Sequence, residues 1–269
     1  MQVLTARADR PGAVVLAELD AIAPGAGQIQ VQVAAASINY VDPAIVSGAL
    51  HAVFGLPDSV GLGFDLAGTV SAVGPGVSGF AVGDRVAGLF DDMAAAARAQ
   101  ATVATIPATD AAPVPDGLEL PAAATIPLNG LTAAQAVERL GEPAGRTLLV
   151  TGGAGAVGGF ALTLARQAGW RVSALARPED GEFVRAAGAQ RLVAELPAEP
   201  AYDAVLDAAV IGAPALRAVV DGGAYVGLRP NEPVEAERGI AVAAITHRPD
   251  AATLARLLRL AANGTLPTR

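Results

Sequence analysis

The sequence contains no cysteine. This excludes disulfide cross-links, thiolate nucleophiles, cysteine-ligated iron–sulfur clusters and structural cysteine zinc sites. It contains no lysine either, so Schiff-base formation and lysine general-base chemistry are ruled out. Histidine is scarce: His51 and His247 are far apart and neither sits in a metal-binding motif, so no metal is expected. Positive charge comes from 18 singly scattered arginines and the formal net charge is -8. Phosphate backbones are met by clustered basic residues, so nucleic acid is not an expected partner. The uncharged stretch 147–165 approaches the length of a membrane span, but glycines interrupt it and a turn is written into its middle. A strand followed by a buried helix accounts for it better, and no membrane insertion is expected. At the start, Arg7 and Asp9 break the apolar run before a signal-peptide core can form, which gives the expectation of a cytoplasmic protein.

What the chain has in quantity is apolar residues, glycine and proline. Apolar residues make up 52% of its 269 residues and charged residues 16%, which is far from the disordered regime and enough for two modest domains. The first part reads as short strands, Val3–Thr5, Val14–Leu19, Ile29–Ala35, Leu66–Val73 and Arg85–Leu89, separated by Gly and Pro turns. Ile29 to Ala35 alternates polar and apolar residues, as a strand with one wet face should. A short helix broken near Pro43 is expected between Asn39 and Leu50. This spacing predicts a curved, mainly β, barrel-like domain. Residues 107–121 carry four prolines and read as a connector, with short helices expected around 122–127 and 131–139.

From Thr147 the rhythm changes. Strands at 147–151, 171–175, 191–194, 203–207, 223–227 and 240–245 alternate with helices near 156–168, 180–187, 213–220 and 250–262. That alternation predicts an α/β fold with a doubly wound parallel sheet. Its first unit carries the most informative stretch of the chain, Thr147 to Gly158, in which a strand passes through glycines straight into a helix. Gly153, Gly155 and Gly158 have the spacing of a dinucleotide-binding turn: the first for the turn, the second for close approach of phosphate, the third for packing of helix on strand. The amides at the helix start, Ala156, Val157 and Gly158, would point at a pyrophosphate. No Lys-Ser/Thr pair follows, so this is not a Walker-type loop. The second strand ends in Leu175-Ala176-Arg177-Pro178 without an acid to hold ribose hydroxyls. Arg177 could pair with a 2′-phosphate, and Ser173 could lend a hydroxyl if the strand ends early, which favours NADPH over NADH. The plainer reading of Arg177 is a solvated loop arginine paired to Glu179.

Several motifs run in order along the chain: Ser37-Ile38-Asn39-Tyr40-Val41-Asp42, Gly63-Phe64-Asp65-Leu66-Ala67-Gly68-Thr69-Val70, Val82-Gly83-Asp84-Arg85-Val86, Leu131-Thr132-Ala133, the Val150–Gly158 turn, Ala187-Gly188-Ala189 and Tyr202 to Asp207. In these the sequence resembles the zinc-free quinone oxidoreductase branch of the medium-chain dehydrogenase/reductase superfamily, which includes zeta-crystallin-like enzymes. The resemblance implies a GroES-like substrate domain over 1–120 and a Rossmann domain over 121–269. It also implies hydride transfer from NADPH to a quinone or α,β-unsaturated carbonyl, a homodimer joined through nucleotide-domain sheet edges, and a closing C-terminal segment beyond 262–267 that this chain does not contain.

The same resemblance places substrate near Asn39 and Tyr40. Asn39 can donate and accept, and could fix substrate or the nicotinamide ribose; Tyr40 could polarise a carbonyl or relay a proton. Asp42 is expected to order the loop. Asn129 and Thr132 are candidate cofactor contacts, Thr132 alternatively capping a helix that begins at Ala133. Gly227, at the end of a late strand, would let nicotinamide approach. Two rival functions remain beside a quinone or enone reductase. One is an enoyl-thioester reductase of lipid or polyketide synthesis, and the other a non-catalytic NADPH-responsive binding protein.

Overall fold

A computed structural model describes residues 1–268. They divide into two compact units: 1–128 with 249–263 and Thr268, and 129–248 with 264–267.

The first unit is antiparallel. Its strands are β1 (Gln2–Arg7), β2 (Val14–Glu18), β3 (Gln28–Ala36), β4 (Ser59–Gly61), β5 (Asp65–Val73), β6 (Arg85–Leu89), β7 (Val103–Pro107) and β8 (Ala111–Pro113). They form a three-stranded sheet, β2-β1-β4, and a five-stranded sheet, β7-β3-β5-β6-β8. The alternation expected in β3 holds: Ile29 and Val31 are fully buried and pack with Leu66, Val70, Val86 and Ile106. Two register shifts against β5, at Gln30/Val31 and Val33/Ala35, are the bulges that curve such a sheet. Between β3 and β4 lie two short helices, α1 (Val41–Val46) and α2 (Ala49–Phe54). Pro43 does not break α1. It sits in the first turn, where its missing N–H would have had no intrahelical partner. The 107–121 segment is more than a connector, because β8 pairs with β6 through Ala111 to Pro113. The helix after it, α3 (Leu120–Ala123), is a single turn.

The next helix, α4 (Pro127–Arg139), starts four residues before the expected 131, with Pro127 opening it. The division between the units falls in its first turn, at Leu128/Asn129.

The second unit is a six-stranded parallel sheet built from β9 (Thr147–Thr151), β10 (Arg171–Leu175), β11 (Arg191–Val193), β12 (Tyr202–Asp207), β13 (Val219–Gly227) and β14 (Ala241–Ala244). The order is β11-β10-β9-β12-β13-β14. The chain thus reverses direction of growth beside β9, the crevice at which open α/β sheets bind ligands. The α5 helix (Ala156–Ala168) follows β9 directly, and every residue from Gly158 to Ala165 is buried. Beyond β10 comes α6 (Gly181–Ala186), and the segment expected to be helical at 213–220 is a 3-10 helix over Ala213–Ala218. The last helix, α7 (Ala251–Ala262), lies in sequence after the parallel sheet but belongs to the first unit, where it packs on β8. Its buried Leu254, Leu257 and Leu258 recur at helical spacing and make one apolar stripe. No helix among the described residues is long and apolar enough to cross a membrane.

Candidate functional site

In the second unit, the turn after β9 is built from glycines with different jobs. Gly152, rather than Gly153, makes the turn: its φ is +59°, in the left-handed region. Gly153 is needed for packing, since a Cβ there would lie 2.8 Å from the Ala174 Cβ of β10. At Gly158 a Cβ would lie 2.1 Å from the Gly152 carbonyl oxygen, so any side chain would force the helix off the turn. Gly155 differs. It precedes Ala156 as the N-cap of α5, and a Cβ there would meet only the Gly152 oxygen, at 3.3 Å. Packing therefore requires Gly153 and Gly158, whereas the space beside Gly155 is what a closely approaching ligand would use. The first turn of α5, with the Ala156, Val157 and Gly158 amides, adds the positive end of a helix dipole. This is the cradle of an NAD(P)-binding Rossmann domain, and a dinucleotide pyrophosphate fits it.

At the same edge of the sheet, Asp207 ends β12 as a buried carboxylate. Its Oδ1 accepts from the Thr151 hydroxyl at 2.6 Å and the Ile211 amide at 3.1 Å. Its Oδ2 accepts from the Gly212 amide at 2.8 Å and the Tyr225 hydroxyl at 2.9 Å. Burial first, and then the Asp207 charge, push the Tyr225 hydroxyl well above the ordinary phenol range, so Tyr225 stays protonated as a donor. Within the loop so held, Val210 has a φ of +56°, a strained conformation for a β-branched residue. Asp207, Tyr225, Gly227, Arg229, Glu232 and Val234 help line a cavity of about 330 Å³. Gly227 ends β13, paired with Asp207 and Ala244, and a Cβ there would press on the Tyr225 ring.

The remaining cofactor candidates are placed less closely together. Ser173 is buried in the middle of β10, which runs on to Leu175, so its hydroxyl is not at the strand end. Arg177 does follow that end and is mostly exposed, 3.9 Å from Glu179. Asn129 and Thr132 lie in the first and second turns of α4; Thr132 is inside the helix and does not cap it.

In the first unit the chemistry gathers around Asp65, the first residue of β5 and fully buried. Its Oδ2 accepts from the Asn39 side-chain amide at 2.7 Å and, in a short bond, from the Ser37 hydroxyl. Its Oδ1 accepts from the Leu128 amide at 2.6 Å. Asn39 Nδ2 also donates to Ser37 Oγ at 3.0 Å. Burial pushes the Asp65 carboxyl up to about 6, against the pull of its hydrogen bonds from Ser37, Asn39 and Leu128; the neighbouring charge of Asp42 adds to the rise. Asp42 orders the loop, accepting from the Asn39 amide at 2.7 Å and the Gly63 amide at 3.1 Å. Tyr40, next to Asn39, is fully exposed and stands at the start of α1. Arg98 is completely buried, its guanidinium 3.9 Å from the Phe64 ring centre and its Nη2 donating to the Phe90 carbonyl at 3.2 Å. Burial lowers it to about 10 while Asp42, Asp92, Asp91 and Asp65 pull the other way.

Reading the residues in order did not single out Asp65, Asp207 or Arg98 for a role. Two of them carried a signal: an acid flanked by apolar residues, in Gly-Phe-Asp-Leu-Ala and in Val-Leu-Asp-Ala-Ala, is an acid in a strand that has to be buried. Among the described residues there is no group of three or more His, Cys, Asp or Glu able to hold a metal ion.

Residues 25–116 match the alcohol dehydrogenase GroES-like domain family. Over 164 residues the chain is 38% identical to a mycocerosic acid synthase-like polyketide synthase of Mycobacterium tuberculosis, a match covering 61% of this chain and 7% of that protein. The chain spans less than a tenth of the length of the curated relatives it matches. Among solved structures, an alcohol dehydrogenase superfamily protein from Novosphingobium aromaticivorans superposes with a TM-score of 0.87 at 29% identity, over 98% of this chain and 88% of that one. The quinone oxidoreductase from Coxiella burnetii has the same TM-score, 0.87, at 24% identity, over 99% of this chain and 89% of that one. The chain therefore has the medium-chain dehydrogenase/reductase fold, with a GroES-like antiparallel unit and a parallel Rossmann sheet, and resembles the quinone oxidoreductases within it.

Proposed function

We propose that the chain is an NADPH-dependent reductase of α,β-unsaturated thioesters. The observation that carries this reading is the 38% identity to a polyketide synthase, higher than the identity to either solved structure compared above. The bound dinucleotide would supply the hydride. Gly155 and the first amides of α5 would hold its pyrophosphate, and Arg177, exposed at the end of β10, would meet a 2′-phosphate with its planar donor fork. The loop carrying Asn39 and Tyr40 would order the reacting half of the site. Hydride addition to the β-carbon moves electrons onto the thioester oxygen, and the α-carbon then takes a proton. Tyr40, with its exposed hydroxyl, is the group we assign to relay that proton. A homodimer joined at β14, the terminal strand of the parallel sheet, is part of the same reading.

A quinone or simple enone as acceptor is the second reading. The motifs Ser37–Asp42 and Gly63–Val70 favour it, since they resemble those of zinc-free quinone oxidoreductases. NADPH oxidation followed at 340 nm separates the two, using short trans-2-enoyl thioesters of N-acetylcysteamine, a benzoquinone and a cyclic enone as acceptors. The thioester reading expects the highest kcat/KM on the enoyl thioesters. A preference for quinone would replace it with the second reading, and NADPH binding without turnover on any acceptor would leave a nucleotide-responsive binding protein. Tyr40→Phe is expected to lower kcat at least tenfold on the preferred acceptor; an unchanged kcat removes Tyr40 from the relay.

A further inference from the structure

We propose that Asp207 and Tyr225 are positioning residues that hold loop 208–212, with Val210 in a left-handed conformation, as a preformed wall for the nicotinamide half of the cofactor. The inference rests on the reading of the parallel unit as a dinucleotide-binding domain. It is independent of which acceptor is reduced.

Asp207 has no acceptor position to spare. Each of its carboxylate oxygens takes two hydrogen bonds, Oδ1 from the Thr151 hydroxyl and the Ile211 amide, and Oδ2 from the Gly212 amide and the Tyr225 hydroxyl. Thr151 is equally committed: its hydroxyl donates to Asp207 and accepts from the Ala209 amide at 2.9 Å. The backbone is therefore tied on both sides of Val210, at Ala209 before it and at Ile211 and Gly212 after it. Val210 in between has a φ of +56°, which a β-branched residue adopts only where its surroundings leave no other choice. This conformation does not serve the core, because Val210 remains 38% exposed. It presents Val210 and Ile211 to the cavity of about 330 Å³ beside the ends of β12, β13 and β14. Strain that buries little points to a surface shaped for a ligand.

The position of the loop says which part of the ligand it meets. Thr151 leads directly into the glycine turn, and Gly152 packs against the Ala209 backbone, where a Cβ would lie 3.1 Å from the Ala209 nitrogen. The pyrophosphate turn and loop 208–212 are thereby joined by contact and by the Thr151 hydroxyl. A dinucleotide spreads its halves to either side of the point where strand order reverses, between β9 and β12. With the adenosine half over β10, the nicotinamide half falls over β12 and β13, where Asp207 and Gly227 stand side by side. There the aliphatic side chains of Val210, Ile211, Val234 and Val242 line the cavity and suit the face of a flat ring.

The test compares two ligands by titration calorimetry on the full chain: NADPH, and 2′-phospho-ADP-ribose, which has both riboses and the pyrophosphate but no nicotinamide. Tyr225→Phe removes one of the four donors to Asp207 and keeps the ring. Losing a hydrogen bond to a charged group loosens the loop, and a ligand that needs the held loop should bind about three- to tenfold more weakly. NADPH should show that loss and 2′-phospho-ADP-ribose should not. Val210→Gly, with a backbone suited to positive φ, should leave the loop in place, remove the wall and weaken NADPH alone to a similar degree. Equal weakening of both ligands in Tyr225→Phe would show support for the domain as a whole and overturn the proposal. An unchanged NADPH affinity in Val210→Gly would overturn it too, and this arm decides even where Tyr225→Phe does not fold. Wild-type protein that binds neither ligand removes the dinucleotide reading and this inference together. NADPH binding that follows the expected pattern while no acceptor is reduced removes only the proposed reductase and leaves the positioning role standing.

Discussion

Replacing Asp65 by asparagine should change how the stability of the protein depends on pH, in a direction opposite to that of an ordinary surface carboxylate. The group is fully buried and its folded-state value is raised from 3.8 to about 6. A raised value means that the folded state holds this proton more tightly than the unfolded state does. Between those two pH values the native protein binds more protons than the unfolded chain, so stability falls as pH rises. At 1.36 kcal/mol per pH unit, ionisation of Asp65 costs the fold about 3 kcal/mol by pH 7, all of it incurred between roughly pH 4 and 6. The asparagine variant has no proton to lose. It keeps an acceptor on one side and places an NH2 against donors on the other, so it gives up about 1–3 kcal/mol in hydrogen bonding at every pH.

The assay is urea unfolding of both proteins at several pH values from 4.5 to 7.5. The difference in unfolding free energy, variant minus wild type, should move in the variant's favour by about 2 kcal/mol across that range. Other carboxylates titrate alike in both proteins and cancel. A flat difference would mean that Asp65 is not desolvated as its burial implies. A difference moving the other way would mean that its hydrogen bonds outweigh burial, and the ionised carboxyl would then be a source of stability.

The glycines of the nucleotide turn should separate by function. Gly155→Val should fold with near-normal thermal stability yet lose NADPH and NADH alike, whereas Gly158→Ala, with its Cβ 2.1 Å from the Gly152 oxygen, should lower the melting temperature; equal behaviour in calorimetry would refute the division. Arg177→Ala should leave stability unchanged, because the side chain is exposed, and should narrow the preference for NADPH over NADH. An unaltered ratio of dissociation constants would return Arg177 to a solvated loop residue. Asp207→Ala should cost about 3 kcal/mol in urea unfolding, since the Thr151 and Tyr225 hydroxyls and two loop amides lose their acceptor. Sedimentation velocity should give a dimer, and a monomer at all concentrations would remove the β14 edge as an interface.

Much of the fold was legible because its signals are local. The strand–glycine–helix run at 147–168 and the alternation in β3 each depend on residues close in sequence, and both appear where periodicity puts them. Where the reading failed, the deciding contact was distant or the boundary residue ambiguous. Helix α4 begins at Pro127 because proline suits a first turn, although the same proline also reads as the end of a connector. The placement of α7 with the first unit depends on packing against β8, more than 130 residues earlier in the chain. At the site, spacing alone could not divide the work among Gly152, Gly153 and Gly155. Which glycine turns, which packs and which leaves room depends on Ala174 of another strand and on Ala209 of a loop.

The central pair of strands shows the same limit at the level of single side chains. The β9 segment has threonine at both ends, Thr147 and Thr151, and β12 has aspartate at Asp203 and Asp207. In parallel register each threonine hydroxyl donates to the aspartate beside it, at 2.6 Å in both cases. From sequence the two Thr–Asp pairs are indistinguishable. In the fold they are opposites. Asp203 is only half-buried, takes its bonds from the Thr147 hydroxyl and amide, and is held below the ordinary carboxylate range by them. Asp207 is buried and extends its bonds beyond the strand, to Ile211 and Gly212 of the following loop and to Tyr225. The first pair merely pins two strands at their N-terminal ends. The second organises a strained loop at the C-terminal edge, where the amides of α5 also start, and a parallel sheet can place a ligand only at that edge.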